Sequence, residues 1–170
     1  DIDNYYTIDT EKIEEKINSN TKAIIPVHLY GQSCNMKNIM QIAKKNNLFI
    51  IEDCAQSHFS KYQSKNVGLF GIASTFSFYP GKNLGSYGDA GCILTNDDDL
   101  AEKFRMYANH GALIKHEHKM EGINSRMDGI QAAILNVKLK YLDKYNKSRQ
   151  QSAHLYNQAF EKVDKIQTPF

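Results

Sequence analysis

The sequence LFIIEDCAQ, residues 48–56, decides the fold class of this chain. Its first four residues are apolar without alternation, which predicts a β-strand buried on both faces and therefore a parallel sheet covered by helices. A helix capped by Asn35, with Ile39 and Ala43 on one face, precedes this strand, and a β-rich run at residues 23–27 precedes the helix. We therefore expect an α/β fold, a three-layer sandwich with a mostly parallel central sheet.

Further elements follow the same logic along the chain. Residues 72–78 and 90–95 are β-rich and predict two more strands of the sheet. Asp9 is placed to cap a short helix near the start of the chain, and Asn96 or Asp97 to begin a helix that extends to about residue 107. The sheet therefore has four predicted strands.

The spacing of apolar residues changes at Asp128. From there apolar residues recur at spacings of three and four, which predicts one long helix that continues to about Phe160. A helix of this length often leaves a sheet domain. We expect residues 1–127 to be part of the sheet domain, and residues 128–170 to form a long C-terminal helix that bridges to another domain.

Composition excludes several classes of protein. The chain has 170 residues, of which 41% are hydrophobic, and 21 basic against 19 acidic residues give a net charge of +2. This charge is too balanced to favour nucleic acid as a partner. No apolar run is long enough to span a membrane, and three widely spaced cysteines favour a reducing cytoplasm. Because the sequence begins with Asp1 rather than Met, we expect it to be a piece of a longer protein.

Two residues predict the chemistry. Asp53 ends the buried strand, where ligands of open α/β sheets collect, and Lys82 lies on the tight turn formed by Pro80 and Gly81. Pyridoxal phosphate (PLP) requires this pair, because an amine forms a Schiff base with its aldehyde and an acid keeps a proton on its pyridine nitrogen. Each residue alone has a simpler interpretation, since Asp53 could cap a turn and Lys82 could be a surface lysine.

Neighbouring residues extend the predicted site. Ala55 is small enough to pack flat against the cofactor ring, and Gln56 could donate to its phenolic oxygen. Ser77 and Asn124 are candidate donors to a phosphate, Asn124 to that of a neighbouring subunit. The alternatives are an ordinary strand serine for Ser77 and a helix-entry turn for Asn124. The one candidate metal pattern, at residues 116–118, is better explained as a solvated loop, and we expect no metal site.

These motifs resemble those of the DegT/DnrJ/EryC1/StrS family of PLP-dependent sugar aminotransferases, which have fold type I. The resemblance rests on EDCAQ at residues 52–56, FSFYPGKNLG at 76–85, GDAG at 88–91, NHG at 109–111, and NSR at 124–126. The block around the lysine is highly specific, and the match follows the chain in order from about residue 1 to residue 156.

The resemblance implies a role for each site residue. Lys82 is the Schiff-base lysine and carries a proton between substrate and cofactor, Asp53 is the partner of the pyridine nitrogen, Gln56 contacts the ring and Ser77 the phosphate. Asn124 reaches the phosphate of the partner subunit's cofactor, so a homodimer is the working unit. Members of the family transfer an amino group from glutamate to a nucleotide-linked keto-sugar.

Finer specificity follows from weaker similarities. Residues 27–32 and 138–143 resemble the branch that aminates carbon 3 of dTDP-linked sugars, whereas amination at carbon 4 stays open. The related sugar 3-dehydratases carry His in place of the lysine, and a noncatalytic protein of the same fold would lack the lysine or the acid. Family members are about twice as long, and the resemblance implies that the small C-terminal domain toward which residues 128–170 lead is absent from the sequence. We therefore expect the 170-residue piece alone to bind PLP weakly or not at all and to be inactive.

The chain also departs from the family pattern. Residues 58–60 read His-Phe-Ser, where the family more usually has His-Gly-Ala. This difference leaves the conformation of the local turn open.

Overall fold

The structure is a computed structural model that describes residues 1–169. In that range the regular elements are β1 Ala23–Ile24, α1 Met36–Lys45, β2 Phe49–Asp53, β3 Lys61–Tyr62, β4 Lys65–Asn66, β5 Ala73–Ser77, β6 Gly91–Leu94, α2 Asp98–Ala108, α3 Gly129–Leu139 and α4 Leu142–Phe160. Short 3-10 turns occur at Thr10–Lys12, Glu14–Lys16 and Leu29–Gly31.

Four of the strands form one central sheet in the order β1-β2-β5-β6. β1 pairs with β2 and β2 with β5 in parallel, whereas β5 and β6 are antiparallel. The strands β3 and β4 form a separate antiparallel hairpin. The prediction of an α/β fold with a mostly parallel sheet is therefore confirmed, and all four predicted strands belong to this sheet.

Capping side chains set the starts of the helices, as the sequence predicts. The Asn35 side chain accepts from the N–H of Asn38 at the start of α1, and the Asp97 side chain accepts from the N–H of Leu100 at the start of α2. Asp9 also caps its segment, but this segment forms two successive 3-10 turns rather than an α-helix.

The main core lies between α1 and the sheet. α1 contacts β1 and β2, and the apolar side chains of its inner face pack with those of the strands. The buried cluster consists of Ile13, Ile24, Cys34, Met36, Ile39, Ala43 and Ile50. Ile39 and Ala43 thus point inward, as their spacing of four predicts.

The burial of β2 differs from the prediction. Ile50 is 7% exposed and Glu52 is fully buried, but Phe49 is 58% exposed. Successive side chains of a strand point to opposite faces, and α1 covers the face that carries Ile50. The expectation that the strand is buried on both faces is therefore wrong at Phe49.

The C-terminal region contains two helices instead of the single one predicted. α3 ends at Leu139 and α4 begins at Leu142, and between them the N–H of Tyr141 donates to the carbonyl of Lys138 in a tight turn. Leu135 of α3 and Leu142 of α4 both belong to a second buried cluster with Leu84. At 19 residues, α4 is still a long C-terminal helix.

No helix within residues 1–169 has both the length and the apolar character needed to cross a membrane.

Candidate active site

The ends of two adjacent strands form the centre of the site. β2 ends at Asp53 and β5 at Ser77, and Asp53 lies opposite Thr75 in the parallel ladder. Beyond β5 the chain folds into a tight turn in which the N–H of Lys82 donates to the carbonyl of Tyr79 at 2.9 Å. The predicted acid therefore ends one strand, and the predicted lysine follows the carboxyl end of the adjacent parallel strand.

The Asp53 carboxylate is only partly used within the chain. Its side chain is half-buried, and Oδ1 accepts from the N–H of Ala55 at 3.0 Å. Its backbone is fixed on both sides, because its N–H donates to Pro26 and its carbonyl accepts from His28. The hydrogen bond from the Ala55 N–H to Asp53 Oδ1 holds residues 53–55 in a compact turn. The position of the carboxylate is therefore set by the end of the strand.

Lys82 lines two cavities. The first has a volume of about 600 Å³ and includes Gln56 and His58 together with Asn146 and Arg149 of α4. The second has a volume of about 670 Å³ and includes Ser77, Ser125 and Arg126. Lys82 is the one side chain shared by these two lining sets among the described residues. An amine in this position can reach groups bound on either side of the turn.

Gln56 and Ser77 each keep a side-chain hydrogen-bond donor that is not used by the contacts described here. Gln56 Oε1 accepts from the N–H of Tyr30 at 3.0 Å, so its amide N–H₂ group points away from that contact as a donor. Ser77 Oγ accepts from the N–H of Tyr79 at 3.3 Å, which leaves its hydroxyl hydrogen to donate. Both residues thus offer donors toward the cavities that they line.

Asn124 lies beside the second cavity rather than among the residues that line it. It pairs with Asn109 in an isolated antiparallel bridge, and its Oδ1 accepts from Nε of Arg126 at 3.2 Å. Arg126 also donates to Oδ1 of Asn109 at 3.2 Å. Within one chain, therefore, Asn124 orients Arg126, and it is Arg126 that reaches the cavity.

A second set of buried polar groups lies on the opposite face of β2. His28, Glu52 and Cys54 place their potential metal-ligand atoms within 4.8 Å of one another. However, Nε2 of His28 contacts Glu52 at 3.1 Å, and Nδ1 of His28 accepts from the N–H of Cys34 at 3.1 Å. These partners assign the proton to Nε2 and occupy both ring nitrogens, so the cluster is explained as a structural network.

Glu52 is the centre of that network. Its two oxygens accept from the N–H groups of Gly68, Phe70 and Gly71 at 2.7–2.8 Å. Burial alone raises the pKa of Glu52, but the hydrogen bonds from His28 and from the three backbone groups bring the pKa below its ordinary value. Glu52 therefore stays ionised and joins the segment at residues 68–71 to the strand.

Sequence reasoning missed Asn83, Asn146 and Arg149. Asn83 accepts from Nδ1 of His58 at 2.6 Å and donates to Oδ1 of Asn146 at 3.1 Å. No local pattern connects these residues, since Asn83 and Asn146 are 63 positions apart. Only their approach in the folded chain identifies them as part of the lysine turn.

The residues present fit PLP. The cofactor has an aldehyde, a pyridine nitrogen and a phosphate, which need an amine, an acid and a group of donors respectively. Lys82 and Asp53 supply the first two at one sheet edge, and the second cavity combines the Ser77 and Ser125 hydroxyls with the Arg126 guanidinium. In the turn after His58, Phe59 has φ +65°, a conformation that glycine adopts more readily than other residues.

Known proteins are similar to the whole chain. A model of the DegT/DnrJ/EryC1/StrS aminotransferase family matches residues 1–170. The dTDP-3-amino-3,6-dideoxy-alpha-D-galactopyranose transaminase of Aneurinibacillus thermoaerophilus is 54% identical over 167 residues, which are 98% of this chain and 44% of that protein. The pleiotropic regulatory protein of Geobacillus stearothermophilus is 48% identical over 166 residues, 96% of this chain and 45% of that protein.

A solved structure is also similar to nearly the whole chain. The crystal structure of S. venezuelae DesV in complex with a ketimine intermediate superposes with a TM-score of 0.91 at 40% identity, covering 94% of this chain and 43% of that one. The chain spans less than half the length of these relatives. Both the sequence match and the superposition extend over nearly all of its residues. The chain therefore belongs to the DegT/DnrJ/EryC1/StrS aminotransferase family.

Proposed function

We propose that the full-length protein is a PLP-dependent aminotransferase that moves an amino group from glutamate to a nucleotide-linked keto-sugar. The substrate that we favour is a dTDP-linked keto-6-deoxy sugar aminated at carbon 3, a precursor of surface polysaccharide or another glycan. The observation that carries this proposal is the position of Lys82 between two cavities, at the same sheet edge as Asp53.

Each site residue has a task in this proposal. When bound, PLP supplies an aldehyde that captures the amine and a ring that takes up electrons. The Lys82 amine would hold the cofactor through its aldehyde and would move a proton at the substrate carbon. The Asp53 carboxylate would keep a proton on the pyridine nitrogen, and Ala55 is small enough to leave room for the ring. The donors left available on Gln56 and Ser77 suit the phenolic oxygen and the phosphate.

The charge of the first cavity supports an anionic substrate. Lys82 and Arg149 are the charged side chains among its described lining residues at neutral pH, and none of these residues is acidic. Arg149 is exposed and has no ion pair among the described residues. Both glutamate and a nucleotide diphosphate are anions, so this cavity favours either molecule over a neutral sugar.

Asn124 and Arg126 support a proposed homodimer. Both residues are exposed in the single chain, and Arg126 is held by hydrogen bonds to Asn109 and Asn124. A guanidinium fixed in this way is ready to bind phosphate. We propose that Asn124 contacts the phosphate of the partner subunit's cofactor.

The three cysteines are free thiols, which is consistent with a cytoplasmic site of action.

A second candidate function is a noncatalytic regulator. One relative with 48% identity carries the name of a regulatory protein, which favours this alternative. Lys82 and Asp53 are both retained in this chain, and a protein without turnover has no need of either. Amination at carbon 4 and a sugar 3-dehydratase are the remaining alternatives, and the lysine disfavours the dehydratase.

The test uses the full-length protein with PLP, glutamate and a panel of dTDP-linked 3-keto and 4-keto sugars. Product mass and the NMR position of the new amine identify the reaction. We expect an amino-sugar at carbon 3 and one equivalent of 2-oxoglutarate, with no product when glutamate is omitted. An amine at carbon 4 would correct the position, loss of a hydroxyl without gain of nitrogen would identify a dehydratase, and no turnover with any sugar would contradict the proposal.

A further inference from the structure

Asn83, the residue next to Lys82, is held by two side chains from distant parts of the chain. His58 follows β2, and Asn146 lies on the second turn of α4. Asn83 Nδ2 donates to the His58 carbonyl at 3.3 Å and to Asn146 Oδ1 at 3.1 Å, and Asn146 Nδ2 donates to the same His58 carbonyl at 3.2 Å. We call these three residues the Asn83 clamp.

The clamp uses every polar atom of the Asn83 side chain. Asn83 Oδ1 can only accept, so the contact of 2.6 Å requires a proton on Nδ1 of His58. The two amide hydrogens of Asn83 bond to different partners, the carbonyl of His58 and the side chain of Asn146. Because Asn83 is half-buried and every polar atom of its side chain is bonded, the side chain is held in one arrangement.

His58 is a rigid support for the clamp. Its side chain is buried, with 4% exposure, and its ring packs against Phe76 at 5.4 Å and Phe78 at 5.6 Å between ring centroids. Burial lowers the pKa of His58, the hydrogen bond that it donates to Asn83 Oδ1 opposes this effect, and the charge of Lys82 lowers the pKa further. Its Nε2 atom is buried without a partner among the described residues, which a neutral ring tolerates better than a charged one.

The clamp therefore connects three elements at the lysine turn. The Phe76 and Phe78 rings belong to β5 and its extension, Asn83 belongs to the turn, and Asn146 belongs to α4. The backbone of the turn is fixed before Lys82 by its N–H bond to Tyr79. Asn83 provides the corresponding fixed point after Lys82, and a displacement of α4 would act on it through Asn146.

We propose that His58 and Asn146 are positioning residues that act through Asn83 to aim the Lys82 amine at the cofactor aldehyde. This inference rests on the proposed function, because it assumes that Lys82 condenses with the aldehyde and releases one water. A nucleophile held in place reacts far faster than a mobile one, and a misplacement of about 1 Å costs about 10²-fold in rate. The clamp therefore sets the rate of covalent capture rather than the affinity for the cofactor.

The test separates covalent capture from cofactor affinity in the full-length apoprotein. Stopped-flow absorbance measures the rate of the lysine condensation with PLP, and titration measures the affinity for pyridoxamine phosphate, which has no aldehyde. We expect Asn83→Ala to slow capture about 10- to 100-fold and Asn146→Ala about 3- to 10-fold. Affinity for pyridoxamine phosphate should stay within about 2-fold of the unmodified protein in both variants.

Matched variants sharpen the test. Gln151→Ala changes an exposed residue of α4 outside the clamp and should leave both quantities unchanged. His58→Asn keeps an N–H donor near the position of Nδ1 and should retain more of the capture rate than His58→Ala. If Asn146 acts only through Asn83, then Asn146→Ala should add no further loss in an Asn83→Ala background. If Asn83→Ala fails to fold, Asn146→Ala carries the test alone.

Two results would overturn the clamp proposal. One is an unchanged capture rate in Asn83→Ala and Asn146→Ala. The other is an equal loss of capture rate and of pyridoxamine phosphate affinity, because that pattern indicates a structural role only. Failure of the proposed function is distinguishable, since Lys82→Ala would then still form the covalent chromophore at the normal rate.

Discussion

Glu52 and Asp53 are adjacent acids on one strand, yet their surroundings are opposite. Glu52 is fully buried and accepts hydrogen bonds from His28 and from the backbone of residues 68–71. Asp53 is half-buried at the strand end, and the bond that the structure gives its carboxylate is the one from Ala55. The alternation of side chains along a strand places the two acids on opposite faces.

The difference separates a structural acid from one that is available to a ligand. The Glu52 face is closed by the chain itself, and a Cβ on Gly71 would collide with the carbonyl oxygen of Ile50. Asp53 itself lines neither cavity, but Gln56, three residues after it, lines the first cavity, and Ser77, at the end of the adjacent strand, lines the second. Mutations on the two sides should therefore affect different quantities, stability on one and activity on the other.

The largest effect is expected for Lys82→Ala, on the side of Asp53. Removal of the amine eliminates both the covalent attachment and the proton transfer, so turnover should fall at least about 10³-fold. The measurement is the rate of amino-sugar formation by the full-length protein. The midpoint of thermal unfolding without cofactor should change little, because Lys82 has no ion pair among the described residues. Surviving transamination would remove Lys82 from the mechanism.

Asp53→Asn should be the next largest change. The amide keeps the size of the side chain and an acceptor for the Ala55 N–H, but it loses the negative charge that, in the proposed function, holds a proton on the pyridine nitrogen. We expect kcat to fall about 10²- to 10³-fold, with thermal stability nearly unchanged. Steady-state kinetics and calorimetry on the same sample measure both. A loss of stability without a loss of kcat would place Asp53 in the same class as Glu52.

Glu52→Gln tests the opposite face. The amide cannot accept from all four donors, and leaving buried N–H groups unsatisfied should lower the free energy of unfolding by about 2–4 kcal/mol. Denaturant unfolding of the full-length protein measures this change. The kcat of the fraction that stays folded should be close to normal, because the side chain lies on the face away from the cavities. A selective loss of kcat would contradict the division between the two acids.

The pH dependence of this variant gives an independent check. The pKa of Glu52 in the folded chain lies below the ordinary value of 4.5, so the ionised carboxylate contributes its full stability above about pH 4.5. That contribution is lost as the pH falls through the lowered pKa. The stability gap between the unmodified protein and Glu52→Gln should therefore narrow below pH 4.5 and stay constant above it. A constant gap at all values of pH would contradict the assigned ionisation.

Phe59→Gly should have the smallest effect and the opposite sign. Phe59 has φ +65°, a conformation that L side chains adopt at a cost and that glycine adopts freely. The greater freedom of glycine in the unfolded chain offsets part of this gain, so we expect stabilisation of about 0.5–1 kcal/mol. Ser64→Gly, at φ +69° in the β3–β4 turn, relieves similar strain at a residue that does not line the first cavity. Phe59 lines the first cavity, so destabilisation by Phe59→Gly alone would mean that the packing of its side chain there contributes more than the relief of backbone strain.

Much of the fold was predictable because its signals are local. The caps at Asn35 and Asp97 and the apolar run of β2 are short patterns that act on neighbouring residues. The break between α3 and α4 had no such signal, because Leu135 and Leu142 are seven residues apart and fit one continuous helix as well as two. The exposure of Phe49 could not be predicted either, because an apolar strand residue on an open face of a sheet has the same sequence pattern as one in the core.

The sequence by itself determined the family, because the family's motifs are short and specific, and it predicted the acid Asp53 and the lysine Lys82 from residue type and local turn geometry. Only the tertiary structure decided that Glu52, and not the adjacent Asp53, accepts hydrogen bonds from the backbone of residues 68–71. It also decided which distant side chains contact the lysine turn. The contact of His58 with Asn83 spans 25 positions, and that of Asn83 with Asn146 spans 63. Such contacts arise when whole helices and strands pack together, so no short sequence pattern predicts them.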